Sequence, residues 1–213
     1  MSRVRTARSL AFLAVAWGAA FYAIGERLKP GYSGVTQYIS ELNATGTALA
    51  SEFGWFGFLP VGVLLAAFMI AAHPLARVRG ASRLGWWLLW SQPIAFIGVA
   101  LAPCDAGCPV GGSPTQDLHD FLGVTTYFAG ALALVLLSFA PAHPRVSAGV
   151  RVFLRVAGSG FVFLFVAMLM PDTAAYRGVL QRDGEHRVGH ALLLVAWRIV
   201  RPGGLGEMGF DRA

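Results

Sequence analysis

The residues most able to do chemistry lie in one stretch, Ala102-Pro103-Cys104-Asp105-Ala106-Gly107-Cys108-Pro109, followed by Ser113-Pro114-Thr115-Gln116-Asp117-Leu118-His119-Asp120. Cys104 and Cys108 stand four residues apart, a spacing that one turn of chain can close to disulfide distance. On an oxidising, extracytoplasmic side a disulfide is the default reading. Metal ligation by the pair stays open as the alternative, although a four-residue spacing alone matches no strong zinc signature. Two further polar clusters, around Ser40-Glu41 and from Asp172 to His190, are expected at the same end of the fold.

Pooled in one pocket, these groups would suit metal-assisted hydrolysis. His119, His186 and His190 can hold zinc and leave one position for water, whose pKa the metal lowers toward neutrality. Asp105 or Asp120 would act as general base or orient a ligand histidine, with Ser40 a further catalytic candidate. Arg177 or Arg182 would hold a lipid phosphate, because a guanidinium offers paired donors to oxyanions; Glu41 and Gln181 complete the candidate binding set. Each has a plainer reading. Ser40-Glu41 can be a helix cap with its first turn, and His190, one turn deeper than His186, can be a packing histidine bonded to a carboxylate or a carbonyl.

The elements that must position these residues are set by composition. The chain of 213 residues is 56% hydrophobic and 13% charged, with mean hydropathy +0.60, outside the range of soluble domains. Six apolar stretches predict an all-α bundle of six transmembrane helices in one integral membrane domain, over residues 10–26, 53–72, 84–102, 119–140, 154–170 and 186–200. The first and last are short and need flanking helix to span. Lipid leaves no water for unpaired backbone groups, so helices are required.

The net charge of +6 is arranged for topology, not for nucleic acid. With the N-terminus cytoplasmic, twelve basic residues face inward, among them Arg3, Arg77, Arg79, Arg145, Arg198 and Arg212, and five face outward. That is the positive-inside bias. The acids divide the other way, nine outside against Glu207 and Asp211 inside. Both termini are therefore expected in the cytoplasm, in the inner (cytoplasmic) membrane of a bacterium. The basic start and the apolar run after it also fit a secretory signal, but the run continues through Ile24, which favours an uncleaved first helix.

Along the chain, Gln92-Pro93 predicts a mid-span kink, with Gln92 bonded to a neighbouring helix. Ser113-Pro114-Thr115-Gln116 has the form of a capping box with proline at the first helical position. Thr126 and Tyr127 either extend the polar site inward or bond between helices. Pro141-Ala142-His143-Pro144 reads as an inner turn, Gly158-Ser159-Gly160 as a close helix contact, and the tail after Arg201 as loose. Arg177, Gln181 and Glu185 share one helical face, and Arg182, His186 and His190 another. The middles of the six spans read as free of charge, which argues against an ion or proton pathway.

The order of Tyr38-Ile39-Ser40-Glu41-Leu42, the Pro103–Pro109 segment, Gln116 with His119, and Gly178-Val179-Leu180-Gln181-Arg182 with Trp197 beyond resembles the uncharacterised membrane family catalogued as domain of unknown function 998. The resemblance spans nearly the whole chain and implies six membrane helices and no established activity. His186-x-x-x-His190 with Asp105, His119 and Ser40 also looks like the metal-dependent membrane hydrolases related to alkaline ceramidases. Those have seven spans and a serine and histidine four apart on an early helix, which this chain lacks.

The functional expectation is a polar site on the extracytoplasmic face with a non-catalytic binding, sensory or structural role, in which Arg177, Arg182 and Arg187 pair with Glu41, Asp105, Asp117 and Asp120. The alternative is a zinc-dependent membrane hydrolase acting on a lipid-like substrate at the outer leaflet; transport ranks third. The expected partners are the bilayer and a lipid or small amphiphile, with no nucleic acid and an unspecified oligomeric state.

Overall fold

The computed structural model describes residues 2–141 and 146–201; the expectations for His143, Arg145, Glu207, Asp211, Arg212 and the tail lie outside them. Among the described residues six long helices form a ring. They are α1 (Arg3–Leu28), α2 (Ala50–Leu75), α3 (Ala81–Leu101), α4 (Pro114–Leu137), α5 (Ala148–Leu169) and α6 (Arg177–Leu194, continued by a π turn over Val195–Ile199). Each packs on the helix before and after it, and α6 closes the ring on α1.

The helices α1 to α5 are long and apolar enough to cross a membrane, so the chain is a multi-pass integral membrane protein. Its large apolar side chains point outward as well as inward: Phe56 is 72% exposed, Phe163 70% and Ile70 66%. That surface suits lipid and would be a liability in water. The sixth helix differs, because Arg177, Arg182, Asp183, Glu185 and Arg187 all lie on it.

Small residues set the helix spacing. Ala7, Ala11, Ala14 and Gly18 form one buried edge of α1. A Cβ at Gly158 would lie 2.6 Å from the Ala131 carbonyl oxygen, which shows how closely α5 lies on α4. The expected kink in α3 falls at Leu89-Trp90, between the segments Ala81–Leu88 and Ser91–Leu101. Pro93 has no N–H for the Leu89 carbonyl, which accepts from Gln92 instead. Pro60 likewise gives no N–H to the Phe56 carbonyl; the Trp17 indole of α1 donates to it at 3.0 Å. A π turn over Phe53–Phe58 precedes this proline.

Candidate functional site

Three connections meet at one end of the ring: residues 29–49, 102–113 and 170–176. Buried Lys29 fastens the first, donating to the Leu42 and Ala48 carbonyls and the Thr47 hydroxyl at 2.8, 3.0 and 2.6 Å. Burial pushes its ammonium pKa down, while Glu41 acts in the opposite sense. Glu41 accepts from the Tyr38 backbone and the Gln37 amide, so the short 3-10 turn Ile39–Asn43 carries its own cap.

In the second connection Cys104 and Cys108 are joined as a disulfide, across a turn in which Gly107 and Cys108 take positive φ of 81° and 44°. Thr45 N–H donates to the Cys104 carbonyl at 2.8 Å, tying this loop to the first. Ser113 caps α4 by accepting from Gln116 N–H. The return half of the capping box comes from outside the motif: Asp105 accepts both the Ser113 N–H and its hydroxyl. Those two bonds hold the Asp105 carboxyl below its ordinary pKa. Gln116, released from that role, accepts from Asp105 N–H and donates to Asp120, both at 2.7 Å.

Just past the third, the start of α6 is tied to the first: Gln181 accepts from Ile39 N–H at 2.6 Å, and Gly178 N–H donates to the Val35 carbonyl. Arg182 donates to the Gly34 and Gly178 carbonyls and to the Tyr32 hydroxyl, while Arg177 stacks over the Tyr38 ring at 5.1 Å.

Behind these contacts lies a cavity of about 210 Å³ whose lining includes Tyr38 and Ser40, Cys108, His119 and Asp120, and Gln181. Ser40, His119, Gly123, Tyr127 and Gln181 also line a cavity of about 70 Å³ deeper in the ring, which adds Tyr22, Phe58, Phe96, Thr126 and Glu185. A third cavity of about 70 Å³ shares Tyr22, Phe96 and Glu185 with it and reaches Gln92, His186 and His190. The three spaces thus share lining residues in series from the loops toward the middle of the ring.

Of the residues singled out from the sequence, Ser40, Cys108, His119, Asp120 and Gln181 share the largest of these spaces. Glu41, Asp105, Arg177 and Arg182 instead satisfy neighbouring backbone or rings. The expected salt-bridged cap does not form: the ion pair among the described residues is Arg187 with Asp183, one turn apart on α6. Loop N–H groups saturate the carboxylates Glu41, Asp105 and Asp120, and carbonyls take up Arg177 and Arg182.

His119, His186 and His190 do not gather as one ligand set. The group of metal-competent side chains among the described residues is Cys104, Cys108 and His119, with ligand atoms within 4.8 Å of one another. The ring Nδ1 of His119 lies 3.1 Å from the Ala102 carbonyl. His186 and His190 are exposed on the far side of Glu185, and His190 Nδ1 bonds the His186 carbonyl at 2.8 Å. With the disulfide closed, its sulfurs are not thiolates, the form in which cysteine binds metal strongly.

Glu185, which precedes the sixth apolar stretch and was counted with the outer acids, turns into the ring. It faces cavities walled by Tyr22 of α1, Phe58 of α2 and Phe96 of α3, all within apolar helices. The sequence offered one sign of this, its shared face with Gln181 four residues earlier. Gln92 was read correctly as an interhelical group, donating to the Thr126 carbonyl at 3.5 Å. Thr126 in turn donates to the Ser91 carbonyl at 2.8 Å.

The family model described as "Protein of unknown function (DUF998)" matches residues 12–198. The chain belongs to this family. The match begins within α1 and ends within the π turn that closes α6, so it takes in all three loops and all three cavities of this DUF998 protein. Neither the comparison with curated proteins nor that with solved structures gives a match.

Proposed function

We propose that this DUF998 protein is a non-catalytic binding protein of the cytoplasmic membrane, crossing it six times with both termini inside, and that it holds a small amphiphile in a chamber opening toward the extracytoplasmic face. The sixth crossing is α6, whose polar residues are tolerated because they face the ring's interior or its loop end. The observation that carries this reading is the shared lining of the three cavities, to which the first two connections and α6 contribute. The chamber is mostly apolar with a few convergent polar groups, the usual constitution of a ligand site. Ser40, His119, Asp120 and Gln181 would orient the ligand's polar part. Phe165, Met168 and Leu169 supply the apolar wall of the largest cavity.

Gly123 gives the test. It lines the two outermost spaces, and a Cβ there would meet nothing within 4 Å. Gly123→Leu should therefore fill the chamber without disturbing helix packing. Wild-type protein in nanodiscs is expected to carry a bound small molecule by native mass spectrometry, and Gly123→Leu to lose it with unchanged thermal stability. The same occupancy in both proteins would refute the chamber.

The zinc-hydrolase reading rests on His119, which shares a cavity with Ser40 and Asp120 and a potential ligand group with the two cysteines. It needs the reduced pair, or a rearrangement that brings His186 and His190 to His119.

A further inference from the structure

We propose that the head group recognised in this chamber is a small organic cation, an ammonium on an apolar tail, bound by Glu185 inside a box of aromatic rings; this rests on the chamber being a ligand site. Glu185 has neither an ion pair nor a hydrogen bond among the described residues, although it lies in the bundle against Tyr22, Phe58, Phe96 and Tyr127. A carboxylate there is costly without a partner, and it must take a proton or meet a cation.

The protein's own cations are engaged elsewhere. Arg182 is bound by three carbonyls and the Tyr32 hydroxyl, Arg187 by Asp183, and Lys29 by the first loop. His186 and His190 border the adjoining cavity, but neither comes within 4.0 Å of the carboxylate as an ion pair.

The rings come from four different helices. Tyr22 belongs to α1, Phe58 to the π turn of α2, Phe96 to α3 and Tyr127 to α4. Tyr127 is held by stacking on Phe165 at 4.4 Å. Phe58 and Phe96 lie 6.2 Å apart. Ring faces carry negative quadrupole charge, so a desolvated cation among several of them gains attraction that a neutral or anionic group does not. A space of about 70 Å³ suits a head group and excludes a whole lipid. The adjoining 210 Å³, walled by Val124, Phe165, Met168 and Leu169, would receive the start of an alkyl tail.

The experiment is isothermal titration of the protein in phosphatidylcholine nanodiscs with octylammonium, octanol and octanoate, using empty nanodiscs as the blank. Wild type is expected to bind octylammonium about tenfold or more tighter than octanol, with octanoate weakest. Glu185→Gln should abolish that preference and leave octanol binding in place. Phe96→Leu should weaken octylammonium several-fold more than it weakens octanol. Equal binding of octylammonium and octanol by wild type would overturn the cation while leaving an amphiphile chamber standing. Octylammonium binding unchanged in Glu185→Gln would also overturn it, as would no binding of any of the three. The chamber itself is judged separately, by ligand loss in Gly123→Leu.

Discussion

The Asp105 carboxylate holds Ser113 twice, accepting its backbone N–H at 2.9 Å and its hydroxyl at 2.8 Å. With the Asp105 N–H bond to Gln116 and the Gly111 N–H bond to Asp120, this contact closes the disulfide loop onto the start of α4. Because the bonds favour the ionised form, the carboxyl's pKa in the folded loop is lowered. The stability it contributes is therefore complete above the unfolded value of about 3.9 and is lost as pH falls below it through the folded value. The protection factor at Ser113 N–H, its exchange relative to an unstructured amide at the same pH, is expected to be high at pH 6 and to fall below about pH 4. Asp105→Asn should show low protection at both. Equal protection in wild type and variant would disprove the role.

Close packing predicts opposite outcomes for two glycines. A Cβ at Gly158 would meet the Ala131 carbonyl oxygen at 2.6 Å, whereas one at Gly123 meets nothing within 4 Å. Gly158→Ala must push α5 off α4 and is expected to destabilise by roughly 1–3 kcal/mol. Gly123→Ala is expected to leave stability unchanged or slightly raised. Thermal unfolding in detergent of the two variants beside wild type is the measurement.

The orientation is open to labelling. Asp117 is exposed on the first turn of α4. In a background with Cys104 and Cys108 changed to serine, Asp117→Cys is expected to react with an impermeant maleimide applied from outside the cell. Reaction only after the cytoplasm is opened would invert the topology.

Metal content separates the two ligand sets. His119 lies with the cysteines, and His186 and His190 lie beyond Glu185. If reduced protein takes up zinc, His119→Ala and Cys108→Ser are expected to abolish uptake, with His186→Ala and His190→Ala close to wild type. Loss of zinc in the His186 and His190 variants instead would establish the three-histidine set. Elemental analysis after reduction and dialysis gives the answer.

Hydropathy by itself determined the helical class and the approximate limits of the apolar helices, because lipid imposes backbone pairing within each helix and a length near that of the bilayer core; the family was legible in the order of the loop motifs. Pro93, Ser113 at the start of α4 and Gly158 at the α4–α5 contact were legible for similarly local reasons. Which polar groups meet was not. Carboxylates and arginines four or more residues apart looked like ion-pair partners, yet in the fold the nearest unmet backbone groups claimed them first, as Asp105 took Ser113 and Arg182 took Gly34. Glu185 was counted with the solvated residues of its segment. Only the closing of α6 against α1 turned it inward to Tyr22 and Phe96, since the face a helix presents to its neighbours depends on how the whole ring packs.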